Sequence, residues 1–166
     1  MEKKYEISIL LTQYQDTLSK FVHYLIDRKY THASIGLNES EDTYYSFTIK
    51  GFRREHPKRH KDKIKKSVCY KIRVTQKQYR KIADLINRFQ DNRHFWKYNL
   101  PGIFLCKMRI PHRMKWRYFC SQFVTELLQK AEVLERKSSP SLFSPSKLER
   151  ELLANLKLMK IINNQI

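Results

Sequence analysis

The sequence predicts an α+β fold. Segments 31–37 and 44–50 alternate apolar and polar residues around a polar turn, which is the pattern of an antiparallel hairpin. Two further runs, 5–12 and 67–74, have strand composition. Separate stretches near 76–90 and 120–132 carry apolar residues at helical spacing.

The elements follow in chain order. YEISILLT, residues 5–12, is rich in Ile, Leu and Tyr and reads as a buried strand. Asp16 is placed to cap a helix over about 17–27, with Leu18, Phe21, Val22, Leu25 and Ile26 on one face. In THASIGL, Ala33, Ile35 and Leu37 share one face, and His32, Ser34 and Gly36 the other. NESED is the turn, and YYSFTIK sets Tyr45, Phe47 and Ile49 against Tyr44, Ser46 and Thr48. Symmetric closure pairs Leu37 with Thr43 and puts His32 opposite Thr48, with Ser46 next along that face. Residues 53–66 are basic, contain Pro57 and lack apolar periodicity, so they read as loop. SVCYKIRV, residues 67–74, is another strand.

Thr75 with Gln78 forms a capping-box pattern opening a helix over about 76–90, striped by Tyr79, Ile82, Leu85, Ile86 and Phe89. Residues 94–118 are aromatic and basic, interrupted by Pro101 and Pro111, with a short helix expected at 101–108. The 120–132 helix buries Phe123, Val124, Leu127, Leu128 and Ala131. After the linker-like SSPSLFSPSK, Ser144 caps a last helix with Pro145 at its first position. LKLMKIINNQI extends that helix or adds a strand. No repeat or second-domain boundary is visible. The expectation is one domain over 1–166, with a basic loop at about 51–66 and a C-terminal helix and tail from about 144.

Composition narrows the function classes. Hydrophobic residues make up 41% of the 166, enough for a core and too many for a disordered chain. Only three glycines occur, which excludes a glycine-rich phosphate loop. No apolar run approaches the roughly 20 residues of a membrane span. The first residues lack a small-residue cleavage site, so a cytoplasmic location, or export without a cleaved signal, is expected. Cys69, Cys106 and Cys120 are widely spaced, with no paired-cysteine motif. That argues against a disulfide framework and a zinc site, and no cofactor or metal is expected.

The net charge is +18, concentrated in residues 51–82, and attracts anions of any kind. Nucleic acid, acidic lipid headgroups and acidic substrates all fit, and so does a merely solvated basic face.

Cys120 is the chemically pointed residue. It lies on the inward face of its helix, where cysteine ordinarily serves as a small hydrophobe. It also lies in the first helical turn, where unpaired N–H groups and the positive dipole end stabilise thiolate. Ser121 and Gln122 beside it are polar. A nucleophilic cysteine needs a base, and His32, among small neighbours on its strand, is the natural partner. Thr48, Ser46 and, further along, Glu55 are candidates to orient that imidazole, though each also reads as ordinary polarity. His56, His60 and His112 sit in basic segments without partners at metal-ligand spacing. Cys69 and Cys106 read as packing residues.

The order YTHASIGL, YYSFTIKGF, KYNLPGIF, YFCSQFV and SLFSPSKLERELL resembles the circularly permuted branch of the NlpC-type, papain-like cysteine hydrolases, the YiiX-like group. In that branch the histidine strand precedes the cysteine helix. The resemblance covers roughly residues 5–155, and T-H-A-S and F-C-S-x-F-V are its most specific parts. It implies a papain-like antiparallel sheet packed on the cysteine helix, with His32 as base and Cys120 as nucleophile. The third polar residue varies in the superfamily, and the strand after the histidine, with Thr48 and Ser46, is where such families place it. Relatives act on amide bonds of peptides or on acyl groups of lipids, and the fold does not choose between them.

The leading expectation is therefore a cysteine hydrolase or acyltransferase working through a thioester. The competing one is a binding module for nucleic acid or an anionic surface, with Tyr70, Tyr79, Phe95, Trp96, Tyr98, Trp116 and Tyr118 interleaved among basic residues. A catalytically idle relative serving as an interaction domain is the third.

Overall fold

The computed structural model describes residues 5–17, 20, 27–37, 42–155 and 160–163. The central strand is β1 (Tyr5–Tyr14), paired antiparallel with β2 (His32–Gly36) on one side and β5 (Ile64–Val74) on the other. Ile7, Ile9, Leu10 and Leu11 are all buried, because both edges and both faces of this strand are covered. That is why its sequence is a continuous apolar run rather than an alternation. With β3 (Tyr44–Thr48), β4 (Gly51–Glu55) and β8 (Lys160–Asn163), the sheet has the order β4-β3-β2-β1-β5-β8, antiparallel throughout. The Ile35–Tyr45 pairing of β2 and β3 is the register that symmetric closure of the hairpin predicts.

The helices lie where their periodicity places them. Helix α1 (Gln76–Asp91) opens with the expected capping box: Gln78 N–H donates to Thr75 Oγ1 at 3.2 Å, and Thr75 N–H to Gln78 Oε1 at 3.0 Å. Helix α2 (Leu100–Lys107) is capped by Asn99, whose Oδ1 accepts from Gly102 N–H at 3.0 Å. Helix α3 (Cys120–Lys130) packs against β2 and β3 through Phe123, Val124, Leu127 and Leu128, each essentially inaccessible to water. Burying each such side chain is worth roughly 1.5–3 kcal/mol. Helix α4 (Pro145–Asn155) has Ser144 as its cap, with Oγ accepting from Lys147 N–H at 3.2 Å. Most of the predicted 17–27 helix, and most of the NESED turn, lie outside the described residues.

The 51–66 segment corrects the sequence expectation. It is not a loop: β4 occupies 51–55, a 3-10 helix covers Pro57–Lys63, and β5 begins at Ile64. Gly51 takes a φ of 86° at the turn out of β3, and a Cβ there would meet the Trp96 carbonyl oxygen at 2.3 Å. Phe52 then anchors the strand, stacking on Phe89 at 5.7 Å between centroids. Five residue pairs with β3 satisfy the backbone while Arg53 and Arg54 stay exposed. One aromatic and a row of backbone hydrogen bonds order a segment whose charge pattern resembles a solvated run.

Several rings of the aromatic-basic set are interior, although most of the 94–118 segment is exposed. Phe47, Phe89, Trp96, Tyr118 and Phe123 form one ring cluster, with Phe89 and Trp96 centroids 4.5 Å apart. Tyr70, Tyr98 and Tyr118 are buried, and Phe95 and Trp116 are the members of the basic-aromatic set that stay exposed.

Candidate active site

His32 opens β2, opposite Thr12 of β1. The chain entering the strand is clamped from below. Asp27 accepts from the N–H of Tyr30 at 3.1 Å and from the N–H and hydroxyl of Ser146, at 2.6 and 2.5 Å. The neighbouring Glu149, also on α4, accepts from Tyr70 at 2.5 Å and from Tyr30 at 3.2 Å, and pairs with Lys29. Thr31 N–H donates to the Thr12 carbonyl at 2.9 Å, and its Oγ1 accepts from Tyr14 N–H at 2.9 Å. The edge of the Tyr14 ring meets the imidazole with centroids 5.7 Å apart. Little freedom is left to the backbone that carries His32.

Cys120 is the first residue of α3, after Phe119 in extended conformation. The helix N-terminus points there because Phe123 and Val124, one turn on, are drawn into the core over β2 and β3. Its thiol is hydrogen-bonded to the His32 side chain. The other ring nitrogen, Nε2, lies 3.1 and 3.0 Å from the two carboxylate oxygens of Glu55. Nδ1 is therefore the nitrogen left to face the sulfur. The result is a relay of Cys120, His32 and Glu55, drawn from α3, β2 and β4.

The electrostatics of the pair are mutual. Burial alone drives the imidazole towards its neutral form. The Glu55 charge and the hydrogen bonds the ring makes to Cys120 and Glu55 outweigh burial and hold His32 well above the usual histidine range. Burial likewise pushes the Cys120 thiol up, but the His32 hydrogen bond and charge win. The N–H groups of Ala33 and Ser121, which donate to the sulfur, help bring the thiol below its ordinary value. Both shifts favour thiolate beside imidazolium. In that form the ring donates from both nitrogens, to sulfur and to carboxylate.

The expected orienting contacts from Thr48 and Ser46 are not made. The fully buried Ser46 hydroxyl donates to the Ala33 carbonyl at 2.6 Å. Thr48 Oγ1 accepts from Lys50 N–H at 3.2 Å, within its own turn, although Thr48 lines the cleft beside His32. Both hydroxyls are committed to nearby backbone, the usual fate of short side chains. A carboxylate from the next strand takes the ring nitrogen instead. Glu55 stands two strands from His32 in the sheet order, and its partner on β3 is Tyr44, not Thr48.

Tyr98 is the site residue that sequence reasoning missed. It belongs to β6 (Lys97–Tyr98), which pairs in parallel with β7 (Arg117–Tyr118), so that Tyr98 lies beside Tyr118, itself two residues before Cys120. Its hydroxyl hydrogen-bonds to the Cys120 sulfur. Burial, then the Cys120 charge and hydrogen bond, keep that phenol protonated and therefore a donor. Neither a two-residue strand nor a parallel pairing of this kind leaves a periodic trace in the sequence.

An open cleft of about 460 Å³ reaches His32, Glu55 and Tyr98. Its other walls include Tyr14, Phe47, Ile49, Arg53, Arg54 and Arg59. His56 and His60, set aside on sequence grounds, line it too. Cys120 does not. Its side of the relay borders a much smaller cavity with Ile103, Cys106 and Ser144, and Thr31 and Tyr98 line both spaces. Cys120 is 4% exposed, so the sulfur is sheltered rather than presented. Cys69 lies at the sheet with Leu10 and Tyr44, and Cys106 on α2, and all three cysteines are free thiols.

The described residues thus define an α+β protein whose antiparallel sheet and first helical turn of α3 meet at a cysteine–histidine–glutamate relay. That fold is similar to the crystal structure of the metalloprotein yiiX from Escherichia coli O157:H7, with a TM-score of 0.50 and 18% sequence identity over 93% of this chain and 86% of that one. At such identity the likeness is one of fold. The chain matches no family model and no curated protein sequence. Among the described residues, no group of three His, Cys, Asp or Glu side chains is placed to hold a metal ion. His32 spends its two nitrogens on opposite partners, which makes a relay and not a chelate. No helix among the described residues is long and apolar enough to cross a membrane.

Proposed function

We propose that the protein is a papain-like cysteine hydrolase or acyltransferase with Cys120 as nucleophile, His32 as base and acid, and Glu55 as the group that orients His32. The observation that carries this reading is the relay at the start of α3, with the His32 ring held between a thiol and a carboxylate. The likeness to yiiX and the order of histidine strand before cysteine helix support it.

The chemistry follows from the atoms. His32 holds the thiol proton, and the Cys120 thiolate attacks the carbonyl carbon of an amide or ester. The C–S bond forms as the carbonyl π pair moves to oxygen. The oxyanion is met by the Cys120 N–H, one of the first-turn amides without an intrahelical acceptor. The C–N or C–O bond then breaks, and the imidazolium protonates the leaving group. A thioester remains on Cys120. Neutral His32 next removes a proton from water, or from an acceptor alcohol or amine, which attacks the thioester and restores the thiol. Glu55 fixes the ring tautomer and favours the imidazolium in both halves. For a substrate to reach the sulfur from the cleft, Tyr98 must swing aside.

The sheltered sulfur favours one competing reading, a relative that keeps the relay but serves as an interaction domain. One experiment separates the two. Iodoacetamide should label Cys120 faster than Cys69 and Cys106 at neutral pH, and His32→Ala should remove the difference. A panel of amide, ester and thioester probes should then show turnover that Cys120→Ala abolishes. Equal labelling of the three thiols, or no turnover with any probe, sinks the hydrolase.

A further inference from the structure

The cleft beside the relay has a lining of two kinds of residue. Tyr14, Phe47, Ile49, Pro57 and Tyr98 supply apolar surface, and Ile49 is left 53% exposed. Arg53, Arg54 and Arg59 line it from β4 and the following 3-10 helix, and all three are exposed. None of the three forms an ion pair with a described residue. The carboxylates on the lining are Asp16 and Glu55, and Glu55 is committed to His32. Three guanidinium groups around one cavity repel each other, and an arriving anion relieves that repulsion with charge-assisted hydrogen bonds.

Position adds to composition. Arg53 and Arg54 immediately precede Glu55 on β4, so the strand that orients His32 also carries the cationic wall. His56 lies next in line, with Nδ1 donating to the Asp42 carbonyl at 2.9 Å. A volume of about 460 Å³ suits a small amphiphile or the end of a larger one.

Building on the hydrolase reading, we propose that this cleft selects acyl substrates with an apolar segment and an anionic group, carboxylate or phosphate, the latter held by Arg53, Arg54 and Arg59. The apolar segment lies against Phe47, Ile49 and Tyr98, and the anion meets the arginines. The positive charge of the chain then has a specific use at this site, as well as a general attraction for polyanions.

The test uses iodoacetamides substituted with alkyl chains of equal length that end in a hydroxyl, a carboxylate or a phosphate. The rate of Cys120 labelling is followed by mass spectrometry at low salt. The anionic probes should react about tenfold faster than the hydroxyl probe, or more. The triple variant Arg53→Gln, Arg54→Gln, Arg59→Gln should lose that advantage while its rate with the hydroxyl probe stays unchanged, which reports an intact fold and nucleophile. The faster of the two anionic probes identifies which headgroup the cleft prefers. Equal rates for charged and neutral probes overturn the proposal. So does an advantage that survives in the triple variant, since His32 alone would then explain it. If no probe labels Cys120 ahead of Cys69 and Cys106, the hydrolase reading fails, and this inference fails with it.

Discussion

Cys69, Cys106 and Cys120 are buried to nearly the same degree, at 0%, 8% and 4% exposure, yet their chemistry diverges. Burial raises the pKa of all three, because a thiolate loses more than a thiol on leaving water. For Cys106 nothing outweighs it, and the thiol is pushed up to about 11. Cys69 has the Tyr44 hydroxyl at 3.8 Å, but its thiol remains above the ordinary value because burial still dominates. At Cys120 a hydrogen-bonded imidazole, itself charged by Glu55, reverses the balance. The comparison separates two quantities that exposure alone conflates. Seclusion sets the penalty for charge, and the partners decide whether the penalty is met. A buried cysteine is inert only when its neighbours are.

The divergence can be broken in order of expected effect. The largest should come from His32→Ala. Alkylation of Cys120 at neutral pH should fall by about 10²–10⁴-fold, to the level of Cys69 and Cys106. Glu55→Gln keeps the shape but removes the charge that raises the His32 pKa. Labelling should fall on the order of tenfold, and the Cys120 rate profile should shift to higher pH. No shift would mean that Glu55 is spectator polarity.

Next comes pH itself. Cys120 has a lowered pKa, so its thiolate should persist to lower pH than free cysteine allows, and be lost as pH falls through that value. His32 has a raised pKa, so the imidazolium should persist above the usual histidine range and be lost as pH rises through it. Turnover of an amide or ester probe should therefore trace a bell between the two, while Cys69 and Cys106 react only at the alkaline end.

A smaller effect is expected from Tyr98→Phe, which removes a donor to the sulfur but leaves the wall in place. Labelling should slow several-fold, whereas Tyr98→Ala, which opens the wall, should speed access by bulky probes. Thr48→Ala and Cys106→Ser should leave Cys120 labelling within about twofold of the unaltered rate, since Thr48 is bonded within its own turn and Cys106 meets Cys120 only across the small cavity. A tenfold loss in either would mean that the relay has a member not yet assigned.

Local pattern carried much of the fold. The β2–β3 register, the capping box at Thr75 and the start of α3 at Cys120 all depend on neighbours within a few residues or on one short turn. Their physical causes are alternation, capping and an apolar stripe, and a sequence displays these directly. The 51–66 segment misled because ladder hydrogen bonds between β3 and β4 leave no mark on side-chain composition. The single anchor, Phe52, is too little to form a period.

The site was legible in proportion to how local its causes are. Cys120 at a helix start and His32 on a strand with small neighbours were visible as candidates, and the resemblance to permuted papain-like hydrolases joined them. The sequence by itself determined which residue types are available and which strands and helices hold them. Only the tertiary structure decided that Glu55 rather than Thr48 or Ser46 meets His32, and that Tyr98 stands between the cleft and the sulfur. Those outcomes depend on a side-chain contact between separate strands, β2 and β4, and on a parallel contact between β6 and β7. The free energies involved, desolvation against charge pairing, vary with distances of a few ångströms between groups far apart in the chain. Periodicity sums over neighbours and contains no such distances, so the ionisation of Cys120 had to await the fold.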